Sequence, residues 1–150
     1  MYNNILVPTD GSKLSGKAVK EAMGFAKACG AKLTVLHVMP DYRAYVSEHY
    51  HVPPEMAAPV KKKFQGEAAA RSKEIIDQAC AQGAAAGVAC AGISVVGDEP
   101  YEAIIKQATK SKCDMIIMSS HGRRGLQSLL LGSETAKVLV HSKIPVLVVR

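Results

Sequence analysis

Met115-Ile116-Ile117-Met118-Ser119-Ser120-His121-Gly122-Arg123-Arg124-Gly125, followed at a short distance by Gly132-Ser133, is the stretch on which the fold turns. Four apolar residues make a strand-length run, hydroxyls and glycines end it, and Gly132-Ser133 opens a segment carrying Ala136, Val138, Leu139 and Val140 before Pro145 stops it. A strand, a glycine-rich loop and a helix capped by Ser133 are predicted. The same alternation extends outward in the chain. Apolar runs recur at Ile5 to Val7, Leu33 to Val38, Ile93 to Val96 and Val146 to Val149. Between them Ala18, Ala22, Phe25 or Ala26 and Cys29 share a helical face that stops at Gly30. Residues 61–86 place Ala68, Ile75, Ile76 and Ala79 on an apolar side, and Glu99-Pro100 starts a helix through Ile104, Ile105 and Ala108. Strands alternating with helices require parallel pairing and right-handed crossovers, so the prediction is an α/β three-layer sandwich around a five-stranded parallel sheet. Ligands of such sheets sit outside the carboxyl ends of the strands, where strand order reverses.

The 150 residues are expected to form a single domain over 1–150, large enough to bury a core without staples. At 48% hydrophobic and 21% charged, the composition excludes a disordered chain, a collagen and a coiled coil. Cys29, Cys80, Cys90 and Cys113 form no CxxC pair and read as reduced, small apolar residues, which suits a cytoplasmic location. Met1-Tyr2-Asn3-Asn4 lacks a basic leader region, and no apolar run approaches the roughly 20 residues that cross a bilayer. The net charge of +6 is spread along the chain, with no Trp and only Lys61-Lys62-Lys63 as a basic run. That pattern argues against a nucleic-acid partner and suits a small polyanion equally well. Met39 to Pro59, with four prolines and the polar-aromatic stretch Tyr42 to Tyr50, breaks the rhythm and reads as a flexible excursion or lid, and the Lys61 to Lys63 run then falls at a helix start.

Two loops hold candidate chemistry. Pro8-Thr9-Asp10-Gly11-Ser12 brings a carboxylate and two hydroxyls to the end of the first strand, where Asp10 would suit a ribose hydroxyl or a metal, or would turn the chain while Ser12 caps the helix. Gly11 to Lys17 also matches the GxxxxGK part of a phosphate-binding loop. Ala18 stands where that motif needs a hydroxyl for magnesium, and Lys17 falls inside the amphipathic pattern of the helix, so the match is discounted. After the fourth strand, Gly122, Gly125 and Gly132 permit close backbone approach. Gly132 and Ser133 place free amides and a hydroxyl at a helix amino terminus, where phosphate is favoured, and His121, Arg123 and Arg124 add donors.

With these residues in view, the whole chain resembles the universal stress protein family. The resemblance is carried by Ile5-Leu6-Val7-Pro8-Thr9-Asp10-Gly11-Ser12, Leu33-Thr34-Val35-Leu36-His37-Val38, Gly97 through Pro100 and Ile144-Pro145-Val146-Leu147-Val148-Val149. The family's nucleotide-binding branch is similar in having Gly, two residues, Gly, nine residues, then Gly followed by Ser or Thr. Here Gly122, Gly132 and Ser133 match, and Ser119 replaces the leading glycine. The resemblance implies strand order 3-2-1-4-5, as in adenine nucleotide alpha hydrolase-like proteins, and ATP as ligand with Mg²⁺ or Mn²⁺. It also implies that Asp10 meets the ribose or metal side while Pro8, Thr9 and Val38 frame adenine. Met118 and Ser119 would border the ribose. Gly122, Gly132 and Ser133 would hold the phosphates, with Arg123 a charge partner of the outer ones. The implied function is a nucleotide-dependent stress-response module, homodimeric through strand Val146 to Val149. The alternative is a nucleotide-free dimeric scaffold acting through protein partners, favoured if Ser119 closes the pocket.

No catalytic residues are assigned. There is no GxSxG elbow and no motif that assembles Ser, His and an acid, so slow metal-assisted ATP hydrolysis is the most the resemblance allows. His49-Tyr50-His51 reads as a solvated loop sooner than a metal site, His37 as a core or pocket-wall residue, and His141 as a structural residue near a helix end, favourably facing the helix dipole.

Overall fold

Parallel pairing of the first and fourth strands places the two candidate loops side by side. In the computed structural model, which describes residues 1–49, 51–123 and 131–150, the elements run β1 (Asn4–Pro8), α1 (Lys13–Cys29), β2 (Lys32–Met39), α2 (Tyr42–His49), α3 (Pro54–Ala85), β3 (Cys90–Val96), α4 (Pro100–Lys110), β4 (Met115–Ser119), α5 (Ser133–His141) and β5 (Val146–Val149). The sheet order is β3-β2-β1-β4-β5 with every pair parallel, Ile5 opposite Met115 and Leu6 opposite Ile116 at the central reversal. The α/β fold and strand order are those expected.

Alternation along each strand divides the core in two. Ile5, Val7, Leu33, Val35, Met115 and Ile117 face α1 and α3, meeting Val19, Ala22, Met23, Ala26 and Ala79. Leu6, Leu36, Ile116 and Met118 face α4 and α5, meeting Ile104, Ala108 and Val138. The central strands are buried on both faces, and each fully covered Ile or Leu contributes about 1.5–3 kcal/mol of transfer free energy. Helix α1 begins where the Ser12 hydroxyl accepts the Ser15 amide at 3.2 Å and ends at Gly30, whose φ of 69° lets its amide close on the Ala26 and Lys27 carbonyls.

Three expectations are corrected. Met39 to Pro59 is not a loop excursion: it contains α2 and the opening of α3, which starts at Pro54 instead of Lys61. Pro54 sits at the first helical position, where its missing N–H costs nothing, while Pro59 lies inside the helix and removes one backbone bond there. The proline count that suggested irregular chain thus marks a helix start. Tyr42 and Tyr45 close on Phe64, with ring centroids 5.5 Å and 4.6 Å away, and pack α2 onto α3. The Lys61 to Lys63 run is therefore exposed within α3 and not at its first turn. Strand β3 also begins earlier than the apolar run from Ile93, because Cys90, Ala91 and Gly92 already pair with Leu33, Thr34 and Val35 on an edge strand that needs little apolar surface. Among the described residues, no helix is long and apolar enough to cross a membrane.

Candidate functional site

Asp10 ties the two loops together. Its Oδ1 accepts the Ser12 amide at 2.9 Å, an Asx turn that sets up the Ser12 cap, and its Oδ2 accepts the Arg123 amide at 2.7 Å across the β1/β4 junction. Burial works to raise the Asp10 carboxyl, but hydrogen bonds from Ser12, Ser15 and the Arg123 amide outweigh it and hold the carboxyl below its ordinary value. Gly122 lies against the same oxygen: a Cβ there would stand 2.8 Å from Asp10 Oδ2, closer than real contacts allow. Thr9 is buried, its amide on the Leu36 carbonyl at 2.8 Å and its Oγ1 3.0 Å from Ser15 Oγ. Pro8, at the end of β1, and Val38, near the end of β2, are half-buried.

The β4 side is equally constrained. Ser119 and Ser120 are buried, and the Ser119 hydroxyl donates to the His121 carbonyl at 2.7 Å. The hydroxyl that replaces a motif glycine is thereby engaged within its own loop. Thr135 Oγ1 donates to the Ser119 carbonyl at 2.9 Å, fixing the start of α5 to the end of β4. Gly132 donates to the Ser120 carbonyl at 2.7 Å, and a Cβ on it would meet that oxygen at 3.0 Å and His121 Cα at 3.3 Å. Gly132, not Ser133, is the N-cap, which corrects the expected Ser133 cap. Ser133 is the first helical residue and is exposed, and a glycine cap has no side chain to satisfy the helix's leading amides. The first to bond back is that of Ala136, to the Gly132 carbonyl at 3.0 Å, so the amides of Ser133, Glu134 and Thr135 precede any such bond. His121 Nδ1 pairs with Ser120 Oγ at 3.0 Å, while its buried Nε2 has no hydrogen-bond partner among the described residues. Arg124, Gly125 and positions 126–130 lie outside the described residues, as does Tyr50.

Beneath this junction runs a polar seam that sequence reasoning registered only as a buried histidine. His37 Nδ1 lies 2.8 Å from Ser72 Oγ, which lies 2.6 Å from Ser94 Oγ, linking β2, α3 and β3. Burial holds His37 below its ordinary value, with Asp10 opposing and Arg123 reinforcing that shift. A cavity of about 470 Å³ opens beside it at the ends of β2 and β3, lined by Met39, Pro40, Tyr42, Arg43, Phe64 and Val96 among others. None of the residues expected at the site lines this cavity. One wall is residues 39–43, at the start of the stretch read as an excursion or lid, and the facing wall is the part of α3 from Lys61 to Ala69 already expected as helix, so the cavity forms only once α3 packs across the strand ends.

Lys17 is exposed within α1 with Gly16, so the apparent phosphate-binding loop is a helix. His141 ends α5, as its dipole reading requires, with its ring 5.4 Å from that of Tyr101. Among the described residues, no group of three or more His, Cys, Asp or Glu is placed to hold a metal.

A five-stranded parallel sheet of order 3-2-1-4-5, with glycine-lined loops over the reversal, defines an α/β protein of the adenine nucleotide alpha hydrolase-like type. The universal stress protein family model matches residues 1–150, and the chain belongs to that family. It is 33% identical to universal stress protein YxiE of Bacillus subtilis over the full length of both chains. Among solved structures it is similar to universal stress protein UspA from Lactobacillus plantarum, with TM-score 0.82, 26% identity and coverage of 99% and 98% of the two chains. It is also similar to a universal stress protein in complex with cAMP, with TM-score 0.72, 31% identity and coverage of 99% and 97%.

Proposed function

We propose that the crevice over the β1/β4 reversal binds ATP and that the protein is a nucleotide-dependent stress-response module. The observation that carries the reading is the pair Gly122 and Gly132, the first where a Cβ would strike Asp10 of the β1 loop and the second where it would crowd the Ser120 carbonyl at the start of its own loop, beside an α5 amino terminus whose leading amides no side chain caps among the described residues. Backbone that approaches this closely, beside helix-terminal amides that precede the first backbone bond of α5, suits phosphate oxygens. In this reading Gly122, Gly132 and Ser133 hold the phosphates and Arg123 pairs with the outer ones. Met118 and Ser119 border the ribose, while Pro8, Thr9 and Val38 frame adenine. Asp10 spends one lone pair on each bridging amide and offers the rest to the ribose side. The engaged Ser119 hydroxyl supports an open crevice, and the relative solved with cAMP supports an adenine nucleotide as ligand. The residues fit ATP, with Mg²⁺ or Mn²⁺ arriving on its phosphates and supplying charge neutralisation there. No side chain in the crevice is assigned as base or nucleophile. We also read the protein as cytoplasmic and as a homodimer joined through β5, an edge strand that would otherwise expose unpaired backbone.

Denaturing freshly purified protein, identifying released nucleotide by mass spectrometry, and titrating stripped protein with ATP and Mg²⁺ by calorimetry tests the reading. Adenine nucleotide or saturable binding is expected. Gly132→Val should abolish it in a folded protein, and Lys17→Ala should leave it intact. No binding at millimolar ATP would refute the proposal and leave the nucleotide-free scaffold.

A further inference from the structure

The sequence keeps Cys80 and Cys90 ten positions apart with no redox motif between them, yet the fold brings their sulfurs into contact. Cys80 lies in the last turns of α3 and Cys90 is the first residue of β3, and their Sγ atoms are 3.1 Å apart with Cys90 donating to Cys80. Both are free and half-buried, so small reagents can reach them. Two glycines make the approach possible. A Cβ on Gly83 would stand 3.1 Å from Cys90 Cβ, and one on Gly92 would stand 3.4 Å from Cys80 Sγ. The pair lies at the amino end of β3, away from the crevice at the carboxyl ends of the strands.

A metal is the first occupant to weigh for two thiols. Tetrahedral zinc with Zn–S near 2.3 Å holds its sulfurs about 3.8 Å apart, wider than this contact, and no third ligand joins the pair among the described residues. A disulfide needs about 2.05 Å, so the sulfurs have only about 1 Å to close from 3.1 Å. We propose that Cys80 and Cys90 are a reversible dithiol/disulfide site, oxidised by a small-molecule disulfide, that staples the end of α3 to edge strand β3.

The chemistry balances by thiol–disulfide exchange. The Cys80 thiolate attacks one sulfur of the small disulfide, the S–S bond breaks, and one small thiolate leaves and takes up a proton. Cys90 then gives up its proton, its sulfur attacks the Cys80 sulfur of the mixed disulfide, and the second small thiol leaves carrying that proton. Two protein thiols lose two electrons, and one small disulfide is reduced to two thiols. Burial and the hydrogen bond to Cys80 push the Cys90 thiol up to about 12, so Cys90 keeps its proton and Cys80 attacks first. Because the resolving sulfur already touches the attacking one, the mixed disulfide collapses before it accumulates.

The test equilibrates the full chain in glutathione buffers of rising oxidised fraction, followed by a denaturing quench with an alkylating agent, intact mass and peptide mapping. The expected result is one cooperative loss of two alkylatable thiols, seen as an intact mass lacking two alkyl groups and lower by about 2 Da than a chain whose two thiols were merely left unalkylated, a Cys80–Cys90 cross-linked peptide, and Cys29 and Cys113 still alkylated. Dithiothreitol should restore both thiols. Cys80→Ser and Cys90→Ser should each convert the remaining partner into a stable glutathione adduct. Cys80 and Cys90 staying alkylatable throughout, stable glutathione adducts on the wild type, or a disulfide to Cys29 or between chains would each overturn the proposal, and the wild-type map decides even if a variant fails to fold.

Discussion

Replacing Asp10 with Asn keeps the shape of the side chain and removes the charge that joins the two crevice loops. In the native protein each carboxylate oxygen accepts one amide, Ser12 at 2.9 Å and Arg123 at 2.7 Å. An asparagine can serve only one of them and turns an NH₂ group toward the other. A hydrogen bond to a charged acceptor is worth about 1.5–3 kcal/mol, and the half-buried setting argues for the lower part of that range, so Asp10→Asn should cost about 2 kcal/mol. For a chain of this size that is about 4–8 °C in Tm. The pH dependence supplies the sharper check. Asp10's folded value lies below the ordinary aspartate value of 3.8, so its contribution is fully present above that value and is lost as pH falls through the lower, folded one. Urea unfolding of both proteins from pH 7 to pH 2.5 should show a gap that holds, or widens through His37, down to about pH 4.5 and that narrows below pH 3.8. Titrations that the substitution leaves unchanged cancel in the difference. A gap that is absent at pH 7, or that persists unchanged to the acid end, would refute the reasoning.

Gly92→Ala should destabilise the chain by about 1–3 kcal/mol in denaturant titration, because its Cβ would stand 2.0 Å from Ile76 Cγ2 and α3 would have to lift from β3. Oxidation of Cys80 and Cys90 acts on the same seam in the opposite direction. Closing a loop of ten residues adds about 2.7 kcal/mol by chain-entropy reasoning, read as a rise in Tm that dithiothreitol reverses. Val148→Pro removes a backbone donor from edge strand β5, and if the proposed dimer pairs through that strand, light scattering should show the mass fall to that of one chain.

The sheet was legible because each central strand is an apolar run bounded by glycine, proline or hydroxyl residues, and the helices between them carry clean faces. Residues 39–59 were not, because prolines signal both a break and a helix start, and which applies depends on Tyr42 and Tyr45 finding Phe64 in space. Asp10, Gly122 and Gly132 were legible as candidates through motif spacing, but their mutual contact was not: the 2.7 Å bond from the Arg123 amide joins positions 113 apart. The Cys80 and Cys90 contact escaped for a similar reason, since ten residues of helix end, turn and strand start have no fixed geometry until α3 packs on β3.

His37 shows how the crevice and the layer beneath it are coupled. It is 7% exposed, joined through Ser72 to Ser94, and held below the ordinary histidine value of 6.5 by burial and by Arg123 against the opposing pull of Asp10. A base whose folded value is lowered binds fewer protons than its unfolded counterpart between the two values, so stability falls as pH drops below 6.5. This window lies well above that of Asp10, which separates the two groups in one titration series. His37→Gln keeps a polar group of similar reach for Ser72 and removes the titration, so its stability should stay flatter than wild type from pH 7.5 to pH 5. Asp10→Asn, which removes the nearby negative charge, should lower the histidine further and steepen the wild-type slope in the same interval. Parallel slopes for all three proteins would mean that His37 is insulated from both the solvent and the crevice, and that its seam serves packing alone.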